Sequence, residues 1–180
     1  MRAGIAAILM LLSLCHTAAA DTTGVTTTTG VSPFVWGAEA GTGIDMGGDD
    51  MSSLNISVLA GYRNEWLRIA GIGLGIDMMI SNSCRAYPIY GIVRTSFSRT
   101  PKLVFADMRC GIAFNRAPGI PDRTNLFVQP GVGIDLAKGK TFGSYLVLSY
   151  TYNSMTFKGD KADTLVHGLN HATLTLGVNF

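Results

Sequence analysis

Three segments repeat one pattern of small, apolar and acidic residues: Gly41-Thr42-Gly43-Ile44-Asp45, Gly73-Leu74-Gly75-Ile76-Asp77 and Gly131-Val132-Gly133-Ile134-Asp135. A glycine loop that cradles phosphate must open a helix, so that its backbone N–H groups converge on the anion. Here the glycines alternate inside extended segments and open no helix, which leaves a strand with one small face and one apolar face. The third segment runs opposite to the first two, so Asp45 and Asp77 fall at one end of a sheet and Asp135 at the other, and no shared metal site is expected. His167 and His171 are four apart, the spacing of two metal ligands on a helix. On a strand His171 instead faces the side of the glycines, and His167 belongs to a rim or loop. Nucleophilic catalysis would need a serine beside His171. Ser149 or Ser154 could approach from the preceding strand, but nothing in the sequence demands it. No catalytic, cofactor-binding or metal site is expected.

The remaining charges are more informative. Glu39, Asp45, Asp77, Arg94, Asp107, Arg109 and Asp135 all fall on the glycine side of alternating segments. Eight such segments read as strands: Phe34–Met46, Ser53–Tyr62, Trp66–Ile80, Tyr87–Ser98, Leu103–Asn115, Asn125–Leu136, Phe142–Met155 and His171–Phe180. If Arg99–Lys102 is a four-residue turn, Arg94 stands directly opposite Asp107. That pair is the leading candidate for an interior salt bridge, in a polar network with Glu39 and Arg109. Arg116–Thr124 carries Pro118, Gly119 and Pro121 and is expected to be a longer loop. Thr156–Val166 is expected to be the longest polar loop.

Composition narrows what such a sheet can be. At 180 residues the chain is one domain's worth. Charged residues make up 14 %, against roughly 25 % in soluble domains. Hydrophobic residues reach 47 %, yet beyond the N-terminus no apolar run approaches the ~20 residues of a membrane helix. Residues 1–20 have the form of a signal peptide: Arg2, the apolar stretch Ile5–Leu14, then Ala18-Ala19-Ala20 before Asp21. Residues 21–33 are Thr- and Gly-rich without periodicity and read as a flexible leader. Residues 34–180 form the folded domain. Removing the signal takes one of 14 basic side chains and none of the 12 acidic ones, leaving a single excess positive charge. With no basic cluster, nucleic acid is not an expected partner. Cys84 and Cys110 remain in the exported chain. Cys84 falls in a loop and Cys110 on an apolar face, so an apolar packing role for Cys110 is expected rather than a disulfide.

The face on which the charges lie decides the architecture. In a soluble eight-stranded barrel the charged face would look outward and carry many Lys and Glu. Here that face is Gly, Ser and Thr, which suits the interior of a narrow barrel. The apolar faces are nearly free of charge, with Arg68 a rim exception that snorkels. Aromatics band at both ends of them: Phe34, Trp36, Tyr62, Trp66, Phe97, Phe142 and Phe180 at one, Tyr87, Phe114, Tyr150 and Tyr152 at the other. Interfacial girdles have that arrangement. Connections alternate longer and short, with the short turns at the end that holds both termini. The fold class is therefore all-β, an eight-stranded antiparallel up-and-down transmembrane β-barrel.

Strand count, loop asymmetry, signal peptide and the terminal aromatic resemble the small eight-stranded outer-membrane barrels of the OmpA transmembrane-domain and OmpX type, over roughly residues 34–180. The resemblance implies an outer-membrane location in a Gram-negative-type bacterium, with outer-membrane lipid and lipopolysaccharide as surroundings. It also implies that Leu174, Leu176, Val178 and Phe180 are the signal read by the barrel-assembly machinery. The loops around Asp49-Asp50 and Lys158–Asp163 could meet cations, lipopolysaccharide head groups or an extracellular ligand. Three function classes follow: a structural or surface-interaction barrel with a packed polar lumen, a narrow pore, and a lipid A-modifying enzyme.

Overall fold

The computed structural model describes residues 33–48, 51–63, 67–80, 83–97, 103–139, 142–158 and 165–180. The expected signal peptide, all but the end of the leader, Asp49-Asp50, Trp66, the Arg99–Lys102 turn and residues 159–164 lie outside that set.

Period-two alternation produces eight strands: β1 Phe34–Asp45, β2 Ser53–Tyr62, β3 Leu67–Met79, β4 Arg85–Ser96, β5 Val104–Ala117, β6 Ile120–Lys138, β7 Gly143–Lys158 and β8 Leu165–Asn179. Each pairs antiparallel with its neighbours in sequence, and β8 pairs with β1 to close the barrel. Closure gives every strand two partners, which removes the unpaired edges that lipid cannot hydrate. Followed once around, the registers return to β1 displaced by roughly ten residues. A displacement of that size tilts the strands, and with eight of them the interior has room only for side chains.

The two faces separate as the alternation requires. Ile72, Leu148 and Val58 are more than half exposed on the outside, while Glu39, Arg94, Asp107 and Arg109 are buried within. A soluble protein would invert this distribution. Lipid is the solvent for which it makes sense. At the end carrying the short turns and the C-terminus, Trp36 stacks on Phe180 with centroids 4.6 Å apart, and Phe34 meets Tyr62 edge-on at 5.9 Å. Tyr87, Phe114, Tyr150 and Tyr152 lie on the outer face towards the opposite, hairpin end.

Three local expectations are corrected. Residues 116–124 are not a long loop. Pro118 and Gly119 make a tight turn between Ala117 and Ile120, and β5 and β6 extend on either side of it. Gly119 has φ of 73°, and proline followed by a glycine of positive φ is what the middle of a type II turn demands. Pro121 falls at a shift in the β5–β6 register, between the pairs Asn115–Arg123 and Ala117–Ile120, where a proline is tolerated. β8 begins at Leu165 rather than His171, and β7 runs to Lys158, so Thr156–Val166 is not all loop. The alternation there is hidden by a register shift between Asn153 and Thr156, opposite Gly168 with φ of 91°. A glycine in the left-handed region is a common means of absorbing an extra residue in a ladder. Finally, Arg68 does not snorkel on the lipid face. The ladder shifts between Leu67 and Ile69, and Arg68 is turned into the barrel, where Nη1 donates to Asp135 at 2.6 Å.

Candidate functional site

The lumen is built by what faces inward, and its midpoint is a charge cluster. Arg94 on β4 and Asp107 on β5 are cross-strand partners, and the Arg94 Nε donates to Asp107 Oδ2 at 2.8 Å. Arg109, two residues along β5, points the same way and donates through Nε to Asp107 Oδ1 at 2.8 Å. Glu39 arrives from β1 and accepts from Arg109 Nη1 at 2.6 Å and Nη2 at 3.0 Å, and from Arg94 Nη2 at 3.1 Å. Two carboxylates and two guanidinium groups thus form one neutral, buried network. Such a group survives burial only when its remaining donors and acceptors are also satisfied. The Tyr145 hydroxyl donates to Glu39 at 2.8 Å and the Ser57 hydroxyl at 3.1 Å. The Arg94 guanidinium also lies over the rings of Tyr145 and Phe105, 4.3 Å and 4.8 Å from their centroids.

The aromatic groups that wall this cluster explain the recurrent glycines. Tyr90 stands opposite Gly73, Phe105 opposite Gly133 and Tyr145 opposite Gly177. In each case a Cβ on the glycine would run into the ring of its partner. Gly73 and Gly133 belong to the repeated pattern and Gly177 to the last strand. Each ring lies flat across a neighbouring strand because that strand offers no side chain, as in the aromatic rescue of glycine.

The cluster is capped by further side chains on its hairpin side and opens on a vestibule on its turn side. Towards the hairpin end, Gln129 Nε2 donates to Ser149 at 2.8 Å, Thr151 and Thr173 share a hydrogen bond of 2.8 Å, and Asn115 and Asn153 exchange amide bonds of 3.0 Å and 2.9 Å. Met51, Met79, Cys84, Ala86, Ala117 and Met155 close that end with buried apolar groups. Towards the turn end there is a vestibule of ≈ 180 Å³ that reaches Arg94, Phe105 and Tyr145. Arg68 and its partner Asp135 line it too. A smaller cavity of ≈ 20 Å³, about one water, lies between Asp77, Arg109 and His171.

His171 meets partners other than those the sequence offered. His171 faces inward and is buried, but its serine is neither Ser149 nor Ser154. Nδ1 lies 3.4 Å from the Ser53 hydroxyl on β2, and Nε2 lies 2.9 Å from the carbonyl oxygen of Met51. That pairing was not legible in the sequence, because β2 and β8 are both neighbours of β1 and meet across the lumen rather than along a ladder. Ser53 is 2 % exposed and faces away from lipid, so these bonds tie the β1–β2 connection to β8. Asp45 accepts from the backbone N–H groups of Gly47 and Met51 at 2.8 Å and 3.4 Å, which holds the same connection. The side chain of His167 lies outside the described residues. Among the described residues no three His, Cys, Asp or Glu side chains gather as a metal site. Cys84 and Cys110 are free thiols. Leu174, Leu176, Val178 and Phe180 share the lipid-facing side of the last strand.

No protein-family model matches the chain, and no curated protein matches it by sequence. Among solved structures it is similar to Neisserial surface protein A, NspA, at 20 % identity over 84 % of this chain and 98 % of that one, with a TM-score of 0.48. It is similar to the N-terminal β-barrel domain of Pseudomonas aeruginosa OprF at 14 % identity over 81 % and 97 % of the two chains, with a TM-score of 0.52. A third is Ail, the attachment invasion locus protein of Yersinia pestis, at 15 % identity over 82 % and 96 %, with a TM-score of 0.38. Sequence identity this low speaks to fold alone, and of the three the OprF barrel domain carries that comparison. With eight strands, a closed antiparallel ladder, an apolar exterior and a charged, packed lumen, the chain has the fold of the small eight-stranded outer-membrane β-barrels.

Proposed function

We propose that this protein is an outer-membrane barrel with a sealed lumen, whose role is structural and interactive and is exercised at its outer surface. The observation that carries the reading is the neutral cluster of Glu39, Asp107, Arg94 and Arg109, walled by Tyr90, Phe105 and Tyr145. An ion entering from the vestibule meets guanidinium groups already saturated by carboxylates. Passing them would require opening several charge-assisted hydrogen bonds at once, each worth roughly 1.5–3 kcal/mol. The hairpin end is then the face available to partners, with β5–β6 and β7–β8 reaching furthest. The last strand, with Leu174, Leu176, Val178 and Phe180 on its lipid side, serves in this reading as the mark read by the barrel-assembly machinery.

Single-channel recording in planar bilayers tests the sealed lumen. The expected result is no resolved conductance from the refolded wild-type barrel. Stable unitary steps from it would replace this reading with that of a narrow pore.

A further inference from the structure

Directly above the hairpin-end girdle, two arginines face each other. Arg85 on β4 pairs with Arg116 on β5, and the next outward-facing pair of the same ladder is Tyr87 with Phe114. Two residues along a strand are about 7 Å. The guanidinium groups therefore leave the wall one step beyond the aromatic belt, at the depth where lipid head groups begin. Like charges directly opposite on one face destabilise a ladder. Only part of this charge is answered: Arg116 Nη2 donates to Asp122 at 3.1 Å, while among the described residues the Arg85 side chain makes no hydrogen bond or ion pair. Beside the pair, a groove of ≈ 410 Å³ runs over Tyr87 and Phe114 and is rimmed by Arg116, Asp122 and Arg123. Below it the wall continues as Ile89 and Ile112, both outward and apolar.

We propose that Arg85 and Arg116 clamp a phosphate group of an outer-leaflet lipid, whose acyl chains descend along Tyr87, Phe114, Ile89 and Ile112. Guanidinium groups bind phosphate through paired N–H donors, and a bound dianion turns the repulsion between the two arginines into a shared attraction. The position selects a lipid over a soluble anion, because the groove runs from Arg116 and Arg123 onto the lipid-facing rings of Tyr87 and Phe114, and Arg85 stands opposite Arg116 on the same face. The site rests on the outward orientation of the apolar belt and is independent of whether the lumen conducts.

The test titrates the refolded full chain in neutral detergent with bisphosphorylated lipid A, with the same lipid stripped of phosphate, and with inorganic phosphate. Bound lipid is read by native mass spectrometry, and fold by heat-modifiable gel migration. Wild type should retain lipid A, and the R85Q/R116Q variant should hold it at least about tenfold more weakly, a difference of about 1.4 kcal/mol. Stripped lipid should bind wild type as weakly as lipid A binds the variant. The single variant R85Q removes a side chain without a described partner and so keeps the test open if the double variant folds poorly. Equal retention by wild type and either variant overturns the site. Competition by inorganic phosphate at the lipid's own concentration overturns the lipid assignment in favour of a free anion.

Discussion

Arg94 and Asp107 face each other across the β4–β5 ladder, and neither is paired with the other alone. Glu39 from β1 reaches the Arg94 guanidinium at 3.1 Å, and Arg109 reaches Asp107 at 2.8 Å. Each charge therefore has two opposite neighbours, so the four side chains cross-link β1, β4 and β5 through the barrel's interior. Because the sum of charges is zero, the cluster tolerates burial only as a complete set.

That completeness predicts a non-additive response to mutation. Glu39→Gln or Asp107→Asn leaves an uncompensated buried guanidinium and should destabilise the barrel by about 3–5 kcal/mol. Removing one charge of each sign, with Arg94→Met and Asp107→Leu together, leaves Glu39 paired with Arg109 and should cost clearly less than the two single changes summed. Urea unfolding in lipid vesicles supplies the cycle. Additive losses would mean that the four residues do not act as one network.

How much of this was legible in the sequence depends on distance along the chain. The Arg94–Asp107 register could be read because few residues separate the two strands, so counting along the chain fixes the pairing. Strand identity was legible for the same reason, since alternation is local. Arg68 could not be placed, because a register shift at the start of β3 moves it from one face to the other and no residue type announces the shift. The Ser53–His171 contact spans the lumen between strands that are not ladder partners, and the curvature that brings them together belongs to the closed barrel. Pro118-Gly119 carried a turn signal that weighed towards a loop because Pro121 follows it. Only the shift in the β5–β6 register at that point shows that a proline can sit there.

The glycines that face rings should resist replacement. Gly73→Ala drives a Cβ into the Tyr90 ring and Gly133→Ala into Phe105, and overpacking of this kind costs about 1–3 kcal/mol. Gly91 is the internal control. The nearest atom to a Cβ there is the Cys110 carbonyl oxygen at 3.7 Å, so Gly91→Ala should be neutral or stabilising by up to about 1 kcal/mol. Equal unfolding midpoints for all three variants would remove the packing explanation of the repeated pattern.

The two thiols report on the two environments of the wall. Cys110 is exposed on the outer face between Met108 and Ile112, where lipid covers it. Cys84 is buried near the hairpin end, and burial pushes its thiol above the ordinary value. In proteoliposomes a lipophilic maleimide should label Cys110, a charged methanethiosulfonate should not, and Cys84 should resist both until unfolding. Gly91 pairs with Cys110 while Arg85 pairs with Arg116, which sets Cys84 and Cys110 roughly 20 Å apart along the wall, beyond disulfide reach. Rapid modification of Cys110 by the charged reagent would place it in water and count against the membrane orientation.

Phe180 combines two roles that one comparison separates. It closes the seam: its N–H donates to the Trp36 carbonyl at 2.9 Å, and its ring stacks on Trp36. Losing that stacking should cost about 0.5–1.5 kcal/mol beyond the lost area, whether it is removed by Phe180→Ala or by Trp36→Ala. In detergent refolding both variants should lose stability, with Phe180→Ala also giving up the contact with Phe142, so the refolding loss of each is the baseline for its yield in cells. In cells they should differ, because only Phe180→Ala alters the strand expected to be read by the assembly machinery. The measurement is the heat-modifiable fraction recovered from outer membranes at matched expression. A yield for Phe180→Ala well below that of Trp36→Ala supports recognition of the terminal aromatic. Equal yields would reduce Phe180 to a girdle residue whose value lies in its contact with Trp36.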